Sequence, residues 1–349
     1  MKNLDLGCGN RKRKDTIGID ISEDTDADVI HDLNISPYPF DYNGKSVLIT
    51  GAKGFIGTHL TTSLLKQGAC VAVLDQKKTN SHERDYDEVV GDLRDSLFVE
   101  RCIQEIKPEV IFHLAAYKER GMLIESFADA VSINVAGSLN LFTMAQRHGS
   151  LKSLVVMGTT DEYGSNKAPF SEGMRETPIS AYSYSKLCVT HLCQVMHTLY
   201  KLPCVVLRPT VVYGPGQALD MFLPALIQTL IDGEMFPMTE GAQTRDFLYI
   251  TDLINAMLVA GLSKKVGGQI INIGSGSSLS IAKMAYMIES LLGRNGLVQC
   301  GAVPYRSEEI MDYRVNLDKA SCLLGWKAKV DYTVGLKQTI SYYREISNL

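Results

Sequence analysis

Apolar residues along this chain gather in short unbroken runs, separated by longer segments with helical spacing. Val47-Leu48-Ile49 is a β-branched-rich run with no polar member, the pattern of a strand buried on both faces. Behind it Ile56, Leu60 and Leu64 share one face of a helix that Gly68 stops. Further runs at 70–74, 89–93, 110–116 and 151–157 read as strands. Helices are predicted between them over about 96–106 and 127–148, the latter with Val131, Val135, Leu139 and Leu141 among its apolar positions. Strands and helices alternating at this interval predict an α/β fold, a doubly wound parallel sheet. A chain of 349 residues also has room for a smaller C-terminal α/β lobe.

Three glycines, Gly51, Gly54 and Gly57, lie between the first run and its helix. A strand, a glycine turn and a helix N-terminus make an anion site: backbone N–H groups and the helix dipole face a pyrophosphate, and missing side chains let it approach. The spacing differs from the common G-x-G-x-x-G. The second run ends in Asp75, 18 residues after Gly57. A carboxylate there holds both hydroxyls of an adenosine ribose and repels a 2′-phosphate, which favours NAD over NADP; Lys77 and Lys78 weaken that preference. Asp92 closes the third run, well placed to touch adenine, and the small Ala115 and Ala116 let a cofactor backbone pass close by. A glycine turn with no ligand is the plainer alternative.

Composition narrows the class. With 45% hydrophobic and 21% charged residues the chain is an ordinary soluble globular protein, and a net charge of -4 gives no case for nucleic acid or a membrane surface. The basic run Arg11-Lys12-Arg13-Lys14 reads as a solvated loop. No apolar stretch approaches the roughly 20 residues of a bilayer span. Met1-Lys2-Asn3-Leu4-Asp5 has no signal-peptide core. The eight cysteines form no C-x-x-C pair, and most, such as Cys70, Cys102, Cys193 and Cys204, sit in apolar runs as reduced thiols. The expectation is a cytoplasmic protein without a metal site.

The candidate chemistry lies further on. Gly158-Thr159-Thr160-Asp161-Glu162-Tyr163-Gly164 puts hydroxyls and acids at the carboxyl end of a parallel strand, where α/β folds bind ligands. Tyr182 and Lys186 are four apart at the start of a helix running to about 199, so they share a face. A free tyrosine has a pKa of about 10, and serving as a base near pH 7 requires a lowering of about 3, or about 4 kcal/mol. A neighbouring Lys⁺ and a cationic nicotinamide supply that, and Thr159 can bond the same substrate oxygen. A surface Tyr and Lys on a helix is the bland reading.

Residues 45–349 resemble the extended short-chain dehydrogenase/reductases, the nucleotide-sugar epimerases and dehydratases. Thr50-Gly51-Ala52-Lys53-Gly54-Phe55-Ile56-Gly57 matches their T-G-x-x-G-x-x-G. Gly91-Asp92-Leu93, His113-Leu114-Ala115-Ala116, Tyr182 to Lys186, Arg208-Pro209-Thr210-Val211-Val212-Tyr213-Gly214-Pro215-Gly216 and Gly241-Ala242-Gln243-Thr244-Arg245-Asp246-Phe247 match in order. The resemblance implies a Rossmann-type domain over 45–216, with later segments returning to it, and a substrate lobe mainly over 217–349. It implies catalysis by Thr159, Tyr182 and Lys186, with Tyr182 taking the proton from a sugar hydroxyl while hydride passes to NAD. The NAD site would comprise Gly51, Gly54, Phe55, Ile56, Gly57, Asp75, Asp92, Leu93, Leu114, Ala115, Ala116, Tyr182, Lys186 and Pro209. A nucleotide-diphosphate sugar would meet Thr159, Thr160 and Asp161, with Arg245 and Arg306 clamping its diphosphate. Two cations facing two phosphates is a sound reason for those arginines. A homodimer through helices near 127–148 and 181–199 is also implied.

The first 44 residues differ. Leu4-Asp5-Leu6-Gly7-Cys8-Gly9-Asn10, Ile17-Gly18-Ile19-Asp20 and Asp28-Val29-Ile30-His31-Asp32 resemble the opening strands of a class I S-adenosylmethionine methyltransferase. The rest of that fold is missing, and about 44 residues cannot bury a core of their own. The expectation is a remnant joined by a linker over 36–44, with no binding of S-adenosylmethionine.

Three reactions share this machinery: 4-epimerisation through a transient ketone, 4,6-dehydration, and reduction of a 4-keto sugar. Dehydratases of the family usually carry Thr-Asp-Glu four, three and two residues before the Tyr of Tyr-Gly. Here those positions hold Thr159, Thr160 and Asp161, with the acidic pair shifted by one to Asp161 and Glu162. That argues against a standard dehydratase. Val211 stands where many relatives have a substrate-contacting Asn. The stretch 304–311 is similar to enzymes that modify deoxysugars for cell-surface polysaccharides, which keeps reduction as an alternative. Asp75 suits a retained NAD and a redox-neutral epimerase. A non-catalytic NAD-binding regulator is the reading from another class.

Overall fold

The computed structural model describes residues 41–78, 85–118, 124–306 and 309–347, together with the backbone of three strands nearer the N-terminus. The chain packs as two units, Met1–Tyr42 and Asn43–Leu349. In the first, β1 (Asn3–Leu6), β2 (Thr16–Asp20) and β3 (Val29–Ile30) form a parallel sheet in sequence order, with Leu4 beside Ile17 and Ile19 beside Val29. The glycine turn at 7–10 and the linker stretch 36–40 lie outside the described residues.

The second unit is built on seven parallel strands. These are β4 (Ser46–Thr50), β5 (Cys70–Asp75), β6 (Asp87–Val90), β7 (Val110–His113), β8 (Ser153–Met157), β9 (Cys204–Pro209) and β10 (Ile270–Ile273). Their order across the sheet is β10-β9-β8-β7-β4-β5-β6. The chain runs outward from β4 to β6, then returns to the other side of β4 and runs outward again through β10. The strand order therefore reverses between β4 and β7, where Thr50 registers with His113. A ligand crevice opens at such a switch point, beyond the carboxyl ends of the strands.

Burial explains the strand sequences. Val47, Leu48, Ile49, Ile111, Phe112, Leu154, Val155 and Val156 are wholly inaccessible, because helices cover both faces. Each such side chain contributes about 1.5–3 kcal/mol of apolar transfer. The helices are α1 (Phe55–Lys66), α2 (Ser96–Ile106), α3 (Glu125–Ala130), α4 (Gly137–His148), α5 (Ala181–Tyr200), α6 (Phe222–Ile231), α7 (Ile250–Leu262), α8 (Ile281–Leu292), α9 (Asp318–Leu324) and α10 (Tyr332–Ser347). Helix α7 is apolar almost all round and is buried almost throughout, packed against α1 and the sheet.

The single helix predicted over 127–148 is in fact α3 and α4 joined by a π-helical turn, Val131–Ala136. The smaller lobe holds short pairings: Thr244–Arg245 runs antiparallel to Leu279–Ser280, and Phe236–Pro237 pairs with Val298–Gln299. Val211–Tyr213 pairs with Phe247–Tyr249, which sets Val211 beside Phe247. Among the described residues no helix is long and apolar enough to cross a membrane, and no cluster of metal-ligating side chains occurs.

Candidate active site

The crevice is floored by the glycine turn between β4 and α1. Gly51 sits at φ +70, and a Cβ there would lie 2.6 Å from the Ala115 nitrogen and 2.8 Å from its Cα. Only glycine lets the end of β7 run this close. A Cβ on Gly57 would meet Ala52 and the Gly51 carbonyl at 2.6 Å, so α1 also needs a bare backbone to seat on the turn. Gly54 differs, since a Cβ there meets nothing nearer than 3.4 Å. It is the N-cap of α1 and provides no side-chain cap, so the first N–H groups of the helix, from Phe55 onward, take no cap from it. A cradle of uncapped donors at a helix N-terminus fits a dinucleotide pyrophosphate.

Asp75 stands at the end of β5 beside this turn. Its Oδ2 accepts from the Lys53 N–H (3.2 Å) and its Oδ1 from the Gln76 N–H (2.8 Å). A carboxylate has about four acceptor sites, so two remain for ribose hydroxyls. Asp92 accepts from Arg94 through Nε (3.1 and 3.0 Å) and Nη2 (2.6 Å), and this partner holds its carboxyl below the usual range. Leu93 is buried, with Gly137 of α4 close beside it.

The strand end that passes Gly51 carries a buried polar chain that no hydropathy pattern marks. Ser138 Oγ donates to the Asn134 carbonyl at 2.5 Å, so it accepts from His113 Nε2 at 2.8 Å. His113 Nδ1 then accepts from Thr50 Oγ1 at 2.7 Å, and Thr50 Oγ1 accepts from the Ala115 N–H at 3.3 Å. That sequence of donors needs a neutral imidazole. Burial drives the His113 pKa down to about 3, and the charge of Lys186 pushes the same way.

From Asn134 the chain continues. Its Oδ1 accepts from the Tyr117 N–H (2.6 Å), and its Nδ2 donates to the Tyr117 carbonyl (2.9 Å) and to Ser185 Oγ (2.8 Å). Ser185 Oγ donates to the Tyr182 carbonyl at 2.8 Å. Asn134 sits inside the π-helical turn, which aims its side chain across at α5; such turns are frequent at functional sites. Asn134 and Ser138 are four apart on the buried face of α3–α4, and polar residues there were the signal available in the sequence.

Thr159 ends the segment after β8 and caps a 3₁₀ turn, Thr160–Tyr163; its Oγ1 accepts from the Asp161 N–H at 3.1 Å. Ser180 caps α5, accepting from the Ser183 N–H at 3.1 Å, which fixes the turn that carries Tyr182. Tyr182 is half-buried and Lys186 is buried, on one face of α5. Burial lowers the Lys186 pKa, while Glu162 and Cys193 oppose the fall.

The other members of the 3₁₀ turn are engaged elsewhere. Thr160 Oγ1 donates to the Pro209 carbonyl (2.9 Å) and meets the Tyr313 hydroxyl at 2.9 Å, while Asp161 accepts from Tyr313 at 2.7 Å. Glu162 is wholly buried: Oε1 accepts from the Thr159 N–H (2.9 Å), and Oε2 accepts from Thr190 Oγ1 (2.8 Å) and from Arg208. Glu162 therefore braces the site from beneath. Neither Glu162 nor Tyr313 was picked out by the sequence as a site residue.

In the smaller lobe Arg245 Nη1 donates to the Thr244 and Ile310 carbonyls, both at 2.7 Å, and Nη2 pairs with Glu309. Its guanidinium lies 5.3 Å from the Tyr313 ring centre, so Arg245 is linked through Tyr313 to Thr160 and Asp161. Arg306 is exposed and precedes two residues outside the described set. The structure thus brings Thr159 and Asp161 into one turn, sets Tyr182 and Lys186 on one helix face, and links Arg245 to that turn, without joining Arg306 to them.

Comparison with known proteins agrees with this geometry. Residues 47–274 match the NAD dependent epimerase/dehydratase family. The chain is 28% identical to dTDP-D-glucose 4,6-dehydratase of Bos taurus, across 88% of this chain and 91% of that protein. It is 30% identical to UDP-glucose 4-epimerase of Mycolicibacterium smegmatis, across 86% and 99%. Among solved structures, UDP-glucuronic acid 4-epimerase from Bacillus cereus, in complex with UDP-glucuronic acid and NAD, superposes with a TM-score of 0.78 at 29% identity, covering 86% of this chain and 99% of that one.

Proposed function

Because this chain belongs to the NAD dependent epimerase/dehydratase family, we propose that it is an NAD-dependent nucleotide-sugar 4-epimerase working through a transient 4-keto sugar. Bound NAD supplies a reversible hydride acceptor, held by the uncapped turn at Gly51, Gly54 and Gly57 and by Asp75. Tyr182 takes the proton from the sugar 4-hydroxyl. Lys186⁺ favours the phenolate electrostatically, and the buried Glu162 favours the charged lysine. Thr159 has its oxygen held by the Asp161 N–H, which leaves its own proton for the substrate oxygen. When the ketone has turned over, Tyr182 returns the proton as the other face is reduced. Arg245 and Arg306 are the arginines that would face the diphosphate.

The observation that carries epimerisation over dehydration is the state of the turn after Thr159. Expelling water needs an acid and a base beside the ketone. Glu162 is buried under Arg208, and the Thr160 hydroxyl is held by Pro209 and Tyr313, which leaves Asp161 as the one acid of the turn outside the core. The test is a panel of UDP- and dTDP-sugars incubated with the purified chain, without and then with added NAD(P)H. Interconversion of 4-epimers supports the reading. Loss of water indicates a dehydratase, and turnover only with added NAD(P)H indicates a reductase. No turnover, together with dinucleotide binding, indicates a regulator.

A homodimer is part of this proposal. Ile124 at the N-cap of α3, and Phe127, Val131, Leu139, Tyr184 and Leu199 on α3, its π-helical turn, α4 and α5, are exposed apolar side chains that a second copy would cover. The free thiols of the seven described cysteines support a reducing compartment, the cytoplasm. Light scattering that returns the mass of a single chain would remove the dimer from the account.

A further inference from the structure

Beside the ribose carboxylate stands a cation that is already paired. Lys53 lies inside the glycine turn, between Gly51 and Gly54, and its own N–H is bonded to Asp75 Oδ2 at 3.2 Å. Its Nζ is 2.8 Å from Glu88 Oε1. That nitrogen is buried and makes no hydrogen bond among the described residues, so the Glu88 carboxylate is its counter-charge. Glu88 belongs to β6, the edge strand, and registers with Val73, two residues before Asp75 on β5. Registered partners and alternate residues share a face, so Glu88 and Asp75 lie on the same face of the sheet, next to the turn.

We infer that Glu88 sets the dinucleotide preference of this chain by holding Lys53, a cation of the glycine turn whose backbone is bonded to Asp75, away from a 2′-phosphate. The inference rests on the reading that Asp75 holds that ribose. A 2′-phosphate carries close to two negative charges near pH 7. It would meet Asp75 directly, with Lys53 neutralised by Glu88. Two carboxylates act on one discrimination: Asp75 repels the phosphate, and Glu88 withholds the cation that would offset the repulsion. Removing the Glu88 charge makes the subsite one unit more positive and frees an ammonium for the phosphate.

The test is calorimetric titration with NAD⁺ and NADP⁺ of the purified chain and of three variants: Glu88→Gln, Glu88→Gln with Lys53→Met, and Asp75→Ala. Where a bound dinucleotide does not exchange, mass spectrometry of what acid releases from each variant gives the same readout. For Glu88→Gln the ratio of the NADP⁺ to the NAD⁺ dissociation constant should fall about tenfold, the scale of one charge-assisted phosphate contact at a partly exposed site. Adding Lys53→Met should return the ratio to the starting value. An unchanged ratio in Glu88→Gln, or a gain that survives the loss of Lys53, overturns the inference. Asp75→Ala should weaken NAD⁺; if it does not, it is the ribose-site reading that has failed, and the inference falls with it.

Discussion

Arg208 gives both Nε and Nη2 to a single oxygen of Glu162, at 2.9 and 2.6 Å, and neither side chain has any exposed surface. A second carboxylate, Glu176, takes another Nη2 bond at 2.8 Å. Two carboxylates on one guanidinium leave a negative surplus beneath Lys186, which lies one helical turn before the Glu162 partner Thr190 on α5. The pair thus ties β9, the turn after Thr159 and the catalytic helix together, and gives the buried lysine a counter-charge.

Breaking that pair from one side strands a charge in the core. Arg208→Met should lower unfolding free energy by about 3–5 kcal/mol, read as a urea midpoint shift, because Glu162 loses its cation. Combining it with Glu162→Gln should recover part of the loss. A double variant as unstable as the sum of its two single variants would show that the two side chains act independently.

His113 makes stability depend on pH. Its pKa is about 3 when folded and about 6.5 in an unfolded chain, so between those values the unfolded state binds more protons. Stability therefore rises with pH across this window, and is lost at about 1.4 kcal/mol per pH unit as pH falls below 6.5. His113→Gln should flatten the dependence of urea unfolding between about pH 4.5 and 6.5. An equally steep profile in the variant would assign the proton uptake elsewhere.

Gly51→Ala should abolish dinucleotide binding. The added methyl meets the Ala115 nitrogen at 2.6 Å and the φ of +70 disfavours any side chain, so either β7 or the turn must move. Calorimetry with NAD⁺ is the check. A dissociation constant within about threefold of the parent, or less than 1 kcal/mol, would show that the cradle does not need this contact.

Tyr182→Phe removes the proposed proton acceptor and little packing. The rate constant kcat should fall by about 10²–10⁴, the range for a lost general base, while NAD⁺ binding is retained. Loss of NAD⁺ binding in proportion would make Tyr182 a cofactor contact instead.

The sequence carries the frame of this site better than its bracing. Val47-Leu48-Ile49 is legible because a strand covered on both faces must be apolar throughout, and Gly51 to Gly57 because a helix start open to an anion excludes side chains. Asp75 follows from its place at a strand end. The braces are not legible in the same way. Glu162 and Arg208 are 46 residues apart, and Thr160 and Tyr313 are 153 apart, so no local spacing relates them. The π-helical turn is set by backbone bonds that no residue pattern announces, and the partners of its Asn134, Tyr117 and Ser185, lie 17 and 51 residues away. Strands of two residues such as Thr244–Arg245 are too short to show a period at all.

The central claim, a hydride removed from and returned to one sugar carbon, is tested most directly with a substrate deuterated at C4. UDP-glucose labelled there, or the labelled form of whichever nucleotide sugar the panel selects, is incubated with the purified chain and followed by NMR and mass. The account predicts a C4 epimer that keeps its deuterium, with no dinucleotide consumed. Deuterium lost to solvent, or a product lighter by one water, would contradict it.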